Sequence, residues 1–360
     1  MTVRALAFYL PQFHPIPEND AWWGQGFTEW RNVASARPQF PGHHQPHVPA
    51  DLGFCDLRVA ETREAQATLA REYGIFGFCY YHYWFKGRQL LDRPFREVLE
   101  SGRPDFPFCL CWANEDWTRA WDGASDDVLM RQEYSEDDDR DHIRWLLAAF
   151  TDRRYVRVDG KPLFLVYKAS RLPDPRRTTD LWREEAMRAG VGELYLCRVE
   201  SDREPDVDPT ELGFDAAVEF QPDFPNLGRA QRRSLVARAA RRLRLSNMAY
   251  RSHRVYDYGT IVDRMLSRLP VSYKRYPCVT PGWDNTPRRD RQGIIVRDST
   301  PEEYERWLRA AVDAFVPFGP GEDLVFVNAW NEWAEGNHLE PCQRWGRAYL
   351  EATFRGLGAG

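Results

Sequence analysis

Eight short apolar runs recur along the chain, most of them ending in polar or aromatic residues. They are Arg4–Leu10, Ile75–Tyr81, Pro107–Ala113, Pro162–Tyr167, Glu193–Val199, Phe214–Phe220, Tyr276–Pro281 and Leu324–Ala329. Their length and near-continuous hydrophobicity predict strands covered on both faces. Between most of them apolar positions recur at intervals of three and four, which predicts helices over Leu57–Tyr73, Glu136–Phe150, Thr179–Ala189, Gln231–Leu243, Pro301–Phe315 and Arg344–Phe354. Asp137 to Asp139 read as an acidic first turn, and Pro301 with Glu302 and Glu303 reads as a helix start capped by Ser299 or Thr300. Strands alternating with helices imply parallel pairing through right-handed crossovers. Eight such units predict an α/β fold, a single (β/α)8 TIM-type barrel over residues 1–360, with an open doubly wound sheet as the alternative. The extra length falls in long βα loops, with insertions at about 11–56 and 222–257. The first insertion holds Trp22, Trp23, Phe27, Trp30 and Phe40, and long irregular loops of this kind tend to carry function.

A barrel delivers its chemistry at the C-terminal ends of its strands. Those ends supply Tyr9, Gln12 and His14; Tyr80, Tyr81, His82 and Trp84; and Trp112, Asn114, Glu115, Trp117 and Arg119. The later ends supply Tyr167 and Lys168, Arg198 and Glu200, Glu219 and Gln221, Trp283, Asp284 and Asn285, and finally Asn331, Glu332 and Glu335. Any one amide or tyrosine is most simply structural, but their repetition around the rim describes a wet pocket for a hydroxyl-rich ligand. The most informative stretch is Phe326 to Gly336, where a buried strand runs into Glu332 and Glu335 set between Trp330 and Trp333. Paired carboxylates beside indoles suit a sugar site, the acids moving protons and the rings covering the apolar face of a pyranose. A helix start capped by Asn331 would also place two acids there, but it leaves the tryptophans unexplained.

Composition narrows the classes. The net charge of −5 gives no general attraction for nucleic acid. The segment 229–254 is rich in arginine; it reads as a solvated helix face, and peripheral membrane association is the partner expectation it carries. Fourteen tryptophans exceed what core filling usually requires. The N-terminus is too short and too soon broken by Pro11 to read as a signal peptide, and no run of about 18 apolar residues exists. Seven cysteines, mostly inside apolar runs, fit reduced thiols and a cytoplasmic location. No cofactor is expected: the glycine fingerprint of a dinucleotide site is missing, as are a GxxxxGK(S/T) loop and a GxSxG elbow. No metal is expected either; His43, His44 and His47 lie in a proline-broken loop without an evident acid partner.

Five stretches resemble the WbsX family of glycosyltransferases, which is also described as glycoside hydrolase family 99-like. They are Ala7–Asp20 with Trp22-Trp-Gly and Gly26-Phe-Thr-Glu29-Trp30; Gly74–Phe85; Cys111–Trp117; Asp159-Gly-Lys-Pro162; and Trp330–Gly336. The resemblance covers nearly the whole chain. It implies a barrel acting on α-glycosidic bonds of surface polysaccharide, of the O-antigen or capsule type, with retention. Glu332-Trp-Ala-Glu335 matches the family 99 signature Glu-Trp-x-Glu, although Ala334 stands where those enzymes usually have His. By that likeness Glu332 is the base that takes the proton of the substrate 2-hydroxyl, whose oxygen then closes on the anomeric carbon. Glu335 is the acid at the leaving oxygen. The substrate-binding set expected around them is Tyr9, Trp22, Trp23, Glu29, Trp30, Tyr81, His82, Trp84, Asn114, Glu115, Trp117, Glu219, Gln221, Trp283, Asp284, Asn331 and Trp333, and the partner is an oligosaccharide or polysaccharide. The leading expectation is a glycoside hydrolase or transglycosylase. A glycosyltransferase of lipopolysaccharide assembly and a non-catalytic sugar-binding barrel are the alternatives.

Overall fold

The computed structural model describes residues 3–119, 124–228, 230, 253–289 and 292–358. The apolar runs form nine parallel strands of one sheet: β1 (Arg4–Tyr9), β2 (Ile75–Phe85), β3 (Phe108–Trp112), β4 (Lys161–Val166), β5 (Tyr195–Glu200), β6 (Ala216–Glu219), β7 (Arg275–Tyr276), β8 (Cys278–Val279) and β9 (Leu324–Val327). Their order is β7-β6-β5-β4-β3-β2-β1-β9-β8. The two edges of the sheet are therefore halves of one chain segment, interrupted at Pro277. Proline has no N–H for the ladder, yet the Pro277 carbonyl accepts from Phe326 N at 2.8 Å. The sheet thus curls into a nearly closed (β/α)8 TIM-type barrel. The strand expected over Tyr276–Pro281 is split and ends at Val279.

Helices α1 (Pro17–Trp23) and α2 (Glu29–Ser35) lie in the loop after β1, at the rim, while α3 (Ala60–Glu72), α4 (Arg93–Ser101), α5 (Glu136–Phe150), α6 (Pro175–Arg188), α7 (Tyr258–Leu266), α8 (Pro301–Ala314) and α9 (Ala348–Gly356) cover the outside. Asp137 to Asp139 do fall in the first turn of α5, which Ser135 caps by accepting from Asp138 N, and Thr300, one of the two expected caps, accepts from Glu303 N at α8. Helix α6 begins before its expected Thr179, because Asp174 caps it and Pro175 takes the first helical position. Helices α1 and α2, inside the first long loop, and helices α4 and α7 are additions to the sequence reading. Helix α4 buries only Pro94, Phe95 and Val98, too few apolar residues to mark a period. Helix α7 follows the arginine-rich segment directly, capped by Asp257. The helix expected over Gln231–Leu243, with most of segment 229–254, lies outside the described residues. No described helix is long and apolar enough to cross a membrane.

All seven cysteines are free and buried. Cys79, Cys109 and Cys111 sit in the β2–β3 ladder, where Cys79 is the register partner of Cys109. Burial pushes the Cys79 and Cys197 thiols well above the ordinary range.

The β2–β3 seam admits no side chain at one point. A Cβ on Gly77 would lie 2.6 Å from the Pro107 carbonyl oxygen, a backbone atom that cannot step aside. Gly77→Ala should cost about 1–3 kcal/mol through overpacking, read as a lower midpoint in urea unfolding. An unchanged midpoint would mean that the seam is looser than this geometry.

Candidate active site

The strand ends surround a cavity of about 640 Å³, within the ~300–1,000 Å³ typical of ligand sites. Alternation decides what reaches it, since successive residues of a strand point to opposite faces. From β1 and its extension, Leu10 and Gln12 line the cavity; from β2, Tyr81 and Tyr83; after β3, Ala113 and Glu115; after β4, Tyr167; after β6, Phe220; and after β9, Asn328. The residues between them turn outward. Trp22, Trp23 and Trp117 form an aromatic wall, with the Trp22 and Trp117 rings 5.8 Å apart. Trp283 comes from a small sheet above the rim, pairing with Val296. Among the described residues, three buried polar atoms belonging to residues that line the cavity have no protein partner: Gln12 Oε1, Trp283 Nε1 and Asn328 Oδ1. Buried polar atoms normally find partners, so this surface is chemically prepared for hydroxyl groups.

Glu332 and Glu335 enter from a tight turn past β9. Asn331–Glu332 pairs antiparallel with Asn337–His338, and a single 3-10 turn, Trp333–Glu335, joins them. Gly336 closes the turn at φ 57°, where a Cβ would stand 3.0 Å from that of Asp284. Asn331 fixes the turn to the barrel: its Oδ1 accepts from Leu10 N at 2.7 Å and its Nδ2 donates to Leu10 O at 3.0 Å. Glu340 fixes it from below. Its carboxylate accepts from Trp330 Nε1 (2.9 Å), Trp333 Nε1 (2.5 Å) and Gln66 Nε2 (2.6 Å), and Gln66 in turn accepts from the Tyr9 hydroxyl at 2.8 Å. Both indoles therefore brace the turn instead of facing the cavity.

Between the two carboxylates stands Arg288. It donates from Nη1 to Glu335 (2.7 Å), from Nη2 to Glu332 (3.1 Å) and from Nε to Glu29 (3.1 Å). Its side chain is only 9% exposed, so one guanidinium faces three acids with little water to share the charge. Burial pushes the Glu332 carboxyl up to about 8, with Arg288 opposing and Glu335 and Glu29 adding to the rise. Burial also raises Glu335, and Arg288 draws it back. Full ionisation of the group costs too much in this setting, and full protonation wastes the guanidinium. Burial thus favours a proton on the Glu332–Glu335 pair, while the guanidinium favours keeping one of the two ionised. Glu115, across the cavity, is raised by burial against the pull of Lys168.

The expected site residues divide by position. The structure brings together Glu332, Glu335, Glu115, Trp22, Trp23, Tyr81, Trp117 and Trp283. Glu29 lies just behind, fully buried and bonded to Arg288. Trp30 donates to Cys55 O at 2.7 Å and packs on Trp333 with centroids 5.5 Å apart. The others are elsewhere. Tyr9 faces α3 through Gln66. His82 contacts His142 (Nε2 to Nε2, 3.0 Å) and Trp84 donates to Asp138 at 2.9 Å, both turned toward α5. Asn114 bonds the backbone of Lys168 at 2.8 Å through both amide atoms. Glu219 pairs with Arg275 at 3.1 Å and lines a smaller cavity of about 210 Å³, while Gln221 accepts from Asp223 N at 3.0 Å. Asp284 accepts from His43 (2.6 Å) and Gln45 (2.8 Å); burial alone would raise it, but these bonds hold it below the usual carboxylate range. Asn331 and Trp333 are the braces already described. Among the described residues no group of three or more His, Cys, Asp or Glu could hold a metal ion.

Tyr83, Arg288, Asn328 and Glu340 are among the contributors that the sequence reading did not pick out. Asn328 was reachable, since counting by twos from Phe326 puts it on the inner face. Arg288 lies in an irregular turn and Glu340 beyond the motif, and neither carries a periodic signal.

Comparison with known proteins places this geometry in context. A family model described as Glycosyltransferase WbsX matches residues 5–353. Two proteins named WxcX and described as uncharacterized, from Xanthomonas campestris pv. campestris strains B100 and ATCC 33913, are each 46% identical over 353 residues. The match takes in 98% of this chain and 49% of each relative, so the chain spans about half the length of the curated relatives it matches. Among solved structures, a glycoside hydrolase-like protein superposes with a TM-score of 0.60 at 14% identity, covering 99% of this chain and 94% of its own. The GH99 endo-alpha-mannosidase from Bacteroides thetaiotaomicron gives a TM-score of 0.59 at 14% identity, covering 99% of both chains. At such identity the likeness is one of fold.

The charge cluster makes an expectation independent of turnover. Arg288→Gln removes the cation that favours ionised carboxylates, so the Glu332 midpoint should rise above about 8, by about one to three pH units. Glu29→Gln removes a neighbouring anion and should lower it. Carbon-detected NMR titration of the glutamate carboxyls reads both, and shifts of the same sign in the two variants would contradict the arrangement.

Proposed function

The chain belongs to the Glycosyltransferase WbsX family, and on that premise we propose that it cleaves or transfers a glycosyl unit at an α-glycosidic bond of a surface polysaccharide, with Glu332 and Glu335 moving the protons. The observation that carries this reading is that both carboxyls face one cavity across a single buried guanidinium. A pair held in that way retains one proton near neutrality, which supplies an acid and a base at once. The aromatic wall and the three unpartnered polar atoms add support for a sugar ligand.

In this reading the bound sugar decides where the proton sits. Its 2-hydroxyl donates to Glu332 and its glycosidic oxygen accepts from Glu335. As Glu332 takes the hydroxyl proton, O2 closes on C1, the bond from C1 to the leaving oxygen breaks, and that oxygen takes the proton of Glu335. Attack on C1 by water or by an acceptor hydroxyl, deprotonated by Glu335, reopens the three-membered ring, and O2 recovers its proton from Glu332. No separate nucleophilic carboxylate is required. Hydrolysis and transfer differ only in which hydroxyl attacks, so the family description favours keeping transfer as the second reading.

The active form carries one proton on the pair. Its loss, near pH 8 by the Glu332 value, should end activity on the alkaline side, and a second proton should end it on the acid side, giving a bell-shaped kcat/KM profile. Glu335→Gln should slow a natural-type glycoside about 10²–10⁴-fold but an activated aryl glycoside much less, whereas Glu332→Gln should slow both. Equal losses on the two substrates with Glu335→Gln would argue against the acid role. Near-full activity in either variant would remove the pair from the mechanism, and a wild-type protein that binds glycans without turning them over would mark a sugar-binding barrel.

A further inference from the structure

We propose that Arg254 and Arg289 form a subsite for an anionic substituent, a carboxylate or phosphate ester, carried by the glycan in the main cavity. The inference rests on the reading of that cavity as a glycan site. Both arginines line it; Arg254 lies in the small sheet above the rim and Arg289 in the turn that leaves it. Arg254 opens the strand Arg254–Asp257, which runs parallel to Ile294–Arg297; its backbone N–H donates to Gly293 O at 2.8 Å. Arg289 sits in the turn after Trp283–Asp284, which flanks the same strand on its other side; its N–H donates to Thr286 O at 3.2 Å. One side chain thus reaches the cavity from the sheet and the other from the turn beside it.

What separates them from Arg288 and Arg203 is that, among the described residues, neither makes an ion pair. Arg288 is held by three acids, and Arg203 lies 3.5 Å from Asp202. Among the described residues neither the Arg254 nor the Arg289 guanidinium makes an ion pair or a hydrogen bond. Two guanidiniums lining one cavity with no ion-pair partner among the described residues favour an anionic ligand there. The guanidinium fork matches carboxylate and phosphate oxygens in pairs. The position also has meaning: burial raises the Glu335 carboxyl, and Arg289 is among the charges that draw it back. A substituent held there would belong to the reactive sugar or to its neighbour. A neutral glycan would leave this wall unused.

The test measures binding apart from turnover. Matched α-linked tetrasaccharides, one neutral, one with a uronate and one with a phosphate monoester, are titrated by calorimetry into the wild-type chain at low ionic strength, beside a nucleoside diphosphate. At least one charged glycan should bind about tenfold tighter than the neutral one, the size expected for charge-assisted hydrogen bonds. The preference should fall toward one in the Arg254→Ala/Arg289→Ala double variant and persist in part with lysines at both positions. The lysine variant also keeps the test available should the alanine variant fold poorly, and thermal melting checks both. Which charged glycan binds better tells carboxylate from phosphate. Equal affinity for neutral and charged glycans, or a preference that survives the double replacement, would overturn the proposal. Tighter binding of the nucleoside diphosphate than of any glycan would overturn it as well, by assigning the arginines to a donor diphosphate. A charge preference in a chain that cleaves no glycan would sink the reaction and leave the subsite standing; cleavage without the preference does the reverse.

Discussion

One guanidinium among three carboxyls is the interaction on which the site depends. Buried charges are stable only when paired and hydrogen-bonded, and Arg288 spends all three of its donor directions on that requirement. It also ties distant parts of the chain together. Glu29 comes from the loop after β1, Glu332 and Glu335 from the turn after β9, and Arg288 from the loop after β8. None of these loops is placed by the barrel ladder alone. Their mutual charge fixes them, and the Trp30–Trp333 contact adds an apolar clasp between the first and the last.

The barrel was legible because each strand announces itself as a short apolar run and most of the helices by a period near 3.6. The rim was legible only by half. Choosing polar residues near strand ends finds Glu115 and Tyr81, but it also gathers His82, Trp84, Asn114, Glu219 and Gln221, whose side chains bond to the helical shell or to neighbouring loops. The period of two separates the sets: Tyr81 and Tyr83 face in while His82 and Trp84 face out, and Phe220 faces in between two outward neighbours. Arg288 and Glu340 obey no period, because irregular turns are shaped by the contacts they make.

The tryptophans of the terminal motif show how composition can mislead about role while pointing to the right place. Indoles beside carboxylates suggest stacking on sugar, yet Trp330 and Trp333 donate to one buried acid, Glu340, whose carboxyl burial raises to about 7. Their work is to hold the turn still. Catalytic groups need placement within a fraction of an ångström, and a short turn past a strand has no ladder to provide it. The surface offered to a ligand comes instead from Trp22, Trp23, Trp117 and Trp283, in other loops.

The seven buried thiols give the molecule an internal clock for its own opening. A thiol reacts as the thiolate and only where a reagent can reach it, and every one of these is sealed inside the fold. Cys79, Cys109 and Cys111 report on the β2–β3 seam, Cys197 on β5, Cys278 on β8, and Cys55 and Cys342 on the loops after β1 and β9. The order in which they become modified by a small alkylating agent would chart which part of the barrel loosens first, with no label added to the chain.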